Sequence, residues 1–308
     1  MINSKRKHVY CKTRAKAQSF EIMTIGIVTC SEVSGLTASE QVLIPLFQGE
    51  GVVAKAVVWN DDTVDWKAYD YLIIRSVWDY HLHHDAFTDW ITTLENKGIK
   101  TLNPVQVIRS NQHKFYLRRL QEKGIAIVPT QFVDRTMNLD LSFIRESGWE
   151  QMVIKPAISA SSFLTENFSI AQLEDIENTY APIAQKRDLL VQQFMPEVRH
   201  FGELSIIFFN RTYSHTVLKT ATSGEFRVQS EYGGSTTVYR PSRAIMETAK
   251  EILSQFDGTL LYARIDGLIR NGRFVLMEIE LIEPDLFLEY DGEAARRFVK
   301  ATLAIARP

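Results

Sequence analysis

From Met23 onward, short apolar runs of strand length alternate with amphipathic segments. "TIGIVTC", "VAKAVVW" and "YLIIRS" read as strands. Between and after them, "TASEQVLIPLFQ" predicts a helix interrupted by Pro45, and His83 to Lys97 predicts a helix closed by Gly98. This alternation predicts a parallel α/β domain over residues 23–105. "LNPVQVIRS" breaks the rhythm, so a boundary is placed between Pro104 and Ser110. A second unit, 106–193, opens on the helix "NQHKFYLRRLQEKG", stopped by Gly124. It continues with strands "IAIVPTQFV" and "EQMVIKPAI", the helix "SIAQLEDIENTYAPIAQK" and the strand "DLLVQQFM". The third unit, 194–308, starts with a meander of "ELSIIFF" and "YSHTVLK", followed by a polar loop from Thr220 to Arg240. Loops of that length inside a compact domain are usually functional. A helix from Pro241 with Ile245, Ala249, Ile252, Leu253 and Phe256 on one face leads into an apolar hairpin, and "GEAARRFVKATLAIA" closes the chain as a helix.

Composition narrows the setting. The 308 residues are 45% hydrophobic and 23% charged, ordinary globular values. A net charge of −2 gives no basic field for nucleic acid, and no apolar run is long enough to cross a bilayer. Two distant cysteines, Cys11 and Cys30, make no disulfide framework, so a reducing cytoplasm is expected. Residues 1–22 stand apart: Lys5, Arg6, Lys7, Lys12, Arg14 and Lys16 face one acid, Glu21. A solvated tail, an organelle presequence and translation upstream of a start at Met23 all fit this segment. The strand following Met23 at once favours the last, and the segment is expected not to be needed for folding.

The hairpin "YARIDGLIRNGRFVLMEIELIEPDLF" carries Asp266, Glu278 and Glu280 inside apolar runs. Along a strand Glu278 and Glu280 share one face, as do Arg264 and Asp266. A two-residue Asn271–Gly272 turn would oppose Asp266 to Met277 and separate the acids. A three-residue connection with Gly272 left-handed brings all four together and is therefore expected. Three carboxylates on one face call for a divalent cation, and oxygen-only ligands point to Mg²⁺ or Mn²⁺. The plain alternative is an exposed acidic strand face. Mg²⁺ commonly accompanies phosphates, and Lys155 ends an apolar strand before the small residues "AISASS", whose N–H groups suit phosphate oxygens. There is neither a Walker loop nor a G-x-G-x-x-G after the first strand. Lys114 alone reads as a surface lysine, and Arg227 sits in the long loop with Gly233 and Gly234. His81, His83 and His84 match no usual zinc spacing and read as a solvated helix start. Cys30 reads as a small core residue.

In this order the parts resemble the ATP-grasp superfamily of carboxylate–amine ligases, over roughly Val105 to Pro308. The nearest branches are the D-alanine–D-alanine ligases and glutathione synthetases. "RIDGLIRNGRFVLMEIE" is similar to the family's R-x-D…E-x-N segment, with Glu280 in place of the usual Asn. The resemblance implies an N-terminal α/β domain followed by two α+β subdomains clamping ATP. It implies Asp266, Glu278 and Glu280 on magnesium, and Arg264 on the acyl phosphate and tetrahedral oxyanion. Lys114, Lys155, Ser161 and Ser162 are then assigned to the phosphates, with Arg227 over them. Gln193, Phe194 and Met195 form the adenine hinge, where Gln192 replaces the usual acid, and Glu203 is placed on the ribose. The implied reaction joins a small carboxylate to an amine and releases ADP and phosphate. "RSVWDY" resembles a subgroup that includes D-cycloserine synthetase, a ring-closing ligase. Arg75, Trp78 and Tyr80 are candidates for the substrate pocket, with a plug over the core edge as the other reading. Phosphotransfer to a hydroxyl and nucleotide binding without catalysis are the further alternatives. Partners are small molecules, a homodimer is left open, and neither nucleic acid nor a membrane is expected.

Overall fold

The computed structural model describes residues 22–222, 225, 227–228 and 232–307, so the basic segment 1–22 lies, but for Ile22, outside the described residues. The N-terminal domain is the expected α/β layer. Strands β1 (Thr24–Thr29), β2 (Val53–Val58), β3 (Tyr71–Ser76) and β4 (Thr101–Leu102) form a parallel sheet ordered β2-β1-β3-β4. Helices α1 (Ala38–Gln41), α2 (Leu43–Gly49) and α3 (His84–Asn96) complete it. The predicted helix around Pro45 is two pieces, with Pro45 in the first turn of the second, where its missing N–H costs no bond.

"LNPVQVIRS", expected to interrupt the pattern, instead forms helix α4 (Val105–Gln112). The single helix expected from Asn111 begins only at α5 (Tyr116–Glu122). Between the two, the Lys114 N–H donates to Ala157 O (2.9 Å), which draws the chain out of helical geometry. Lys114 is thus on a turn, not on a helix.

A four-stranded antiparallel sheet follows, ordered β5-β8-β6-β7. Its strands are β5 (Thr130–Val133), β6 (Gln151–Pro156), β7 (Glu166–Ser169) and β8 (Leu189–Gln193), with helices α6 (Phe143–Ser147) and α7 (Leu173–Ala184) against it. Strand β7 is too short and polar to stand out in the sequence. The core of this layer runs from Val133 to Val191. Helices α4 and α5, counted with the same unit on sequence, bury Val107, Tyr116, Leu117 and Leu120 against the C-terminal sheet.

That sheet has the order β11-β10-β9-β12-β13. After the short helix α8 (Glu197–His200) come β9 (Glu203–Phe209), β10 (Thr212–Thr220), β11 (Ser235–Val238), helix α9 (Arg243–Ser254), β12 (Tyr262–Arg270), β13 (Arg273–Glu280) and helix α10 (Ala294–Ala306). Part of the expected long loop is therefore edge strand β11, a polar run recruited by pairing with β10. Leu204, Ile206, Phe208, Ala263 and Ile265 pack on the core that α9 covers. The opposite face is divided. Ile207, Phe209, Val217 and Tyr262 lie with Phe298 of α10 under the N-terminal sheet. Further along the same face the positions are Glu203, Ser205, Lys219, Arg264 and Asp266, all buried. Apolar and charged halves of one face thus follow from where the N-terminal domain ends.

The hairpin reaches the expected face by a different device. Arg270 opposes Arg273, so the turn is the two-residue Asn271–Gly272, with φ of 51° and 76°. This is the positive-φ pair that suits strand twist. The register then shifts at a bulge: Gly267 opposes Leu276 and Asp266 opposes Glu278, leaving Met277 as the extra residue. Gly267 is required there, because a Cβ would stand 2.4 Å from both the Phe274 ring and Val275 O.

Candidate active site

A cleft of about 400 Å³ lies between the central and C-terminal sheets. It is lined by every site residue expected from the sequence except Arg75. Lys219, Glu283 and Asp285 also line it and were not anticipated. Lys219 follows only the short apolar run Val217–Leu218 in a strand that is mostly polar. Glu283 and Asp285 continue the acidic hairpin past its last paired residue.

The register places Arg264 opposite Glu280 and Asp266 opposite Glu278, so all four share the cleft face. The Arg264 guanidinium donates to both Asp266 oxygens (2.9–3.1 Å) and to Glu280. Lys219 Nζ pairs with Glu203 (2.5 Å) and reaches Asp266 (3.7 Å). Ser205 Oγ donates to Asp266 (2.6 Å), and Lys114 Nζ pairs with Glu278 (3.1 Å) while donating to Ser159 O (2.6 Å). What holds the acids in this apolar hairpin is therefore first the protein's own cations. A carboxylate cluster does not by itself demand a metal once lysine and arginine compensate it.

The charge balance is still acidic. Burial, only partly offset by Arg264 and reinforced by Asp266 and Glu278, raises the Glu280 pKa to about 7. Burial and then Glu280 raise that of Glu283 to about 8. Asp266 goes the other way: burial alone would raise its pKa, but Arg264 and Lys219 outweigh this and lower it. Asp266 and Glu203 likewise outweigh burial to raise the pKa of Lys219. Asp266 is buried and Glu278, Glu280 and Glu283 are half-buried, and such oxygen donors suit a hard divalent cation. Among the described residues no three acid, histidine or cysteine side chains yet converge as a metal cluster, because Arg264, Lys114 and Lys219 hold the carboxylates.

The sign of the pH dependence follows. Glu280 and Glu283, with ordinary values of 4.5, bind protons more tightly folded than unfolded. Their stabilising contribution is complete below the unfolded value and is lost as pH rises through about 7 and 8. The ligand-free protein should melt at a lower temperature at pH 8.5 than at pH 6, the slope being at most about 1.4 kcal/mol per pH unit for each proton. Melting curves across that range check this, and a rising stability would contradict the buried acid pair.

Lys155 ends β6 and makes no ion pair among the described residues. Burial lowers its pKa, with Glu278 opposing. Beyond it the loop through Ser161 (φ 48°), Ser162 (φ 57°) and Leu164 (φ 48°) is in left-handed conformations that non-glycine residues seldom adopt. Tyr180 Oη holds Leu164 O (3.1 Å), while His81 and Arg187 flank the Phe163 ring. Arg227 pairs with Glu225 and covers the Tyr232 ring at 3.5 Å.

At the other end, Val128, Val153, Val198 and Met277 give the cleft an apolar wall beside Phe194 and Met195. The Phe194 N–H is committed to Gln151 O (2.9 Å), so of the expected backbone contacts only its carbonyl and the Met195 N–H face no such bond. The Gln192 amide donates to Thr130 Oγ1 (2.9 Å). Glu203, expected at a ribose, sits with Lys219 beside Asp266, in the charge cluster.

Arg75 is not a pocket residue. It is 1% exposed, pairs with Glu40 (3.1 Å), stacks on Tyr262 and donates to Pro284 O (2.5 Å). The strand end does face the crevice, but its longest side chain turns inward to compensate Glu40. Arg75 belongs to a wider arrangement. The irregular strap after β13 has its carbonyls captured one after another: Leu281 by Asn103, Ile282 by Tyr262, Glu283 by Trp78, Pro284 by Arg75, Asp285 by Arg264, and Leu286 and Phe287 by His215. Buried irregular backbone needs such partners. Trp78 thus lines the cleft with its ring and fastens the strap with its N–H.

A family model described as the N-terminal domain of D-cycloserine synthetase DcsG matches residues 25–103. The cycloserine biosynthesis protein DcsG of Streptomyces lavendulae is 24% identical over 273 residues, 84% of this chain and 90% of that protein. The crystal structure of D-cycloserine synthetase DcsG is similar with a TM-score of 0.83 at 21% identity, covering 92% of this chain and all of the other. The D-alanine–D-alanine ligase of Bacillus anthracis, complexed with ATP, gives 0.65 at 14% identity, covering 92% and 99%. Among the described residues no helix is long and apolar enough to cross a membrane. By its three-layer topology and these likenesses, the chain has the ATP-grasp fold of the carboxylate–amine ligases, with an N-terminal domain matching that of D-cycloserine synthetase.

Proposed function

We propose that the protein is an ATP-dependent ligase that activates a small carboxylate as an acyl phosphate and joins it to an amine, releasing ADP and phosphate. The observation that carries this is the division of charge across one cleft: an uncommitted Lys155 beside a small-residue loop on one sheet, and Arg264 with three acids on the other. ATP with Mg²⁺ or Mn²⁺, when bound, supplies the phosphoryl group that makes the carboxylate reactive. The Phe194 carbonyl, the Met195 N–H and the valine-lined wall suit the base. Lys114, Lys155 and the Ser161–Ser162 loop suit the phosphates, and Arg227 closes over them. Asp266, Glu278 and Glu280 would hold the cation. Arg264 offers charge where an oxyanion develops. Trp78, Tyr80 and the strap face the substrate. Closed around its substrates, the cleft between the two sheets would keep water from an acyl phosphate.

The ring-closing reaction is the second reading, favoured by the N-terminal match and by the higher TM-score to D-cycloserine synthetase. A free, buried Cys30 suits a reducing cytoplasm. The test follows nucleotide and product together in the presence of Mg²⁺, ATP and paired carboxylates and amines. ADP with free phosphate is expected, with a product mass of joined substrates, or of one substrate minus water or ammonia for ring closure. AMP with pyrophosphate, or phosphate retained on an acceptor hydroxyl, would overturn the ligase reading.

A further inference from the structure

β13 is the outer strand of the C-terminal sheet, so one side of its backbone has no strand to pair with. Its outward groups are satisfied all the same. At Leu276 the partners are main chain: its N–H donates to Ala126 O (2.9 Å) and its carbonyl accepts from the Val128 N–H (3.0 Å). At Ile279 and Leu281, beside Glu278 and Glu280, side chains take over. Tyr116 Oη accepts from the Ile279 N–H and donates to the Ile279 carbonyl, both at 3.0 Å. Asn111 Nδ2 donates to the same carbonyl (2.8 Å), and Asn111 Oδ1 accepts from the Leu281 N–H (2.8 Å). All four residues are buried, so without these two side chains the edge would carry unpaired backbone groups away from water.

Asn111 stands in the last turn of α4 and Tyr116 opens α5. Asn111 lines the cleft, yet both ends of its amide are committed to β13. Tyr116 packs in the core with Leu117 and Leu120. Lys114, between them, is held by other bonds, its N–H on Ala157 O (2.9 Å) and its Nζ on Ser159 O (2.6 Å). The two clamps therefore act on the strand and not on the lysine. Ile279 lies between Glu278 and Glu280, and side chains alternate along a strand, so the anchoring of Ile279 sets the direction of both carboxylates.

We propose that Asn111 and Tyr116 are positioning residues for the cation site: by holding the outer edge of β13 they fix Glu278 and Glu280 at the spacing that a nucleotide-bound divalent cation requires. Mg²⁺ demands near-ideal octahedral geometry, so a small movement of the strand edge costs affinity. Partners that orient the ligands of a metal are typically worth about ten- to a hundredfold in its affinity.

This inference rests on the ligase reading, with Glu278 and Glu280 as its cation ligands, and deepens it. The test titrates ADP into the parent protein, Tyr116→Phe and Asn111→Ala, once with Mg²⁺ and once with EDTA, beside melting curves. Mg²⁺ is expected to tighten ADP binding by the parent. Tyr116→Phe keeps the ring in the core and leaves Asn111 on the Ile279 carbonyl, so it should fold. Each variant is expected to bind ADP about tenfold more weakly with Mg²⁺ and unchanged with EDTA. In a Glu278→Gln background neither substitution should weaken binding further, because both act through the same ligand set. Weakening that is equal with EDTA, weakening that adds in full to that of Glu278→Gln, or an unchanged affinity with Mg²⁺ would each overturn the positioning role and leave the ligase reading standing. A parent protein whose ADP binding does not respond to Mg²⁺ would overturn both.

Discussion

Arg264→Ala should destabilise the ligand-free protein by about 3–5 kcal/mol at pH 8, the usual cost of removing one partner from a buried charge network. Arg264 is the shared cation of Asp266 and Glu280 and also holds Asp285 O at 3.1 Å. Its loss leaves two carboxylates facing each other with only Lys219 and Ser205 near Asp266. The deficit should shrink at pH 5, because Glu280, whose pKa is already raised to about 7, is protonated there and needs no partner. Urea denaturation at the two pH values measures it. A cost below about 1 kcal/mol at both would put this arginine among surface-type pairs. Arg264→Lys separates chemistry from folding. It keeps the charge but not the fork that spans both acids, so it should fold while losing about a hundredfold or more in turnover.

Lys155→Met is expected to do the reverse. Lys155 is half-buried near the end of β6 without an ion pair, and burial lowers its pKa, so a methionine of similar length removes a partly desolvated charge. The melting temperature should hold or rise. Turnover should fall by about 10²–10³, the scale for removing one preorganised charge from a developing anion. Nucleotide affinity should weaken with it. A variant within tenfold of the parent would show that Lys155 does not meet the phosphates. The two substitutions together distinguish a cation that compensates the fold from one held ready for a ligand.

Most strands and helices, in their order along the chain, were legible because apolar strand-length runs and helical periodicity are local signals. "YLIIRS", "LLVQQ" and "ELSIIFF" are strands in any plausible context. The acids of the hairpin and Lys155 were legible for a related reason: a charge inside an apolar run is visible in one dimension. The missed residues had no such contrast. Lys219 closes a strand that is polar elsewhere, and the strap carrying Glu283 and Asp285 has no regular structure.

Arg75 and the hairpin turn mark the other limit. An arginine ending a buried strand looks the same in sequence whether it meets a substrate or a buried Glu40 thirty-five residues earlier; only packing of α1 against β3 chose. Asn271–Gly272 correctly signals a two-residue turn, but the acids meet through a bulge at Met277 that Gly267 permits. Local propensity and patterning therefore determined the element types, the alternating faces and the residues that carry charge. Register, the division of the sheet face into apolar and charged halves, and the pairing of each acid with its cation were decided by the tertiary structure. These depend on contacts between segments far apart in the chain, where the cost of an unpaired buried charge selects one arrangement and leaves no trace in the spacing of any single segment.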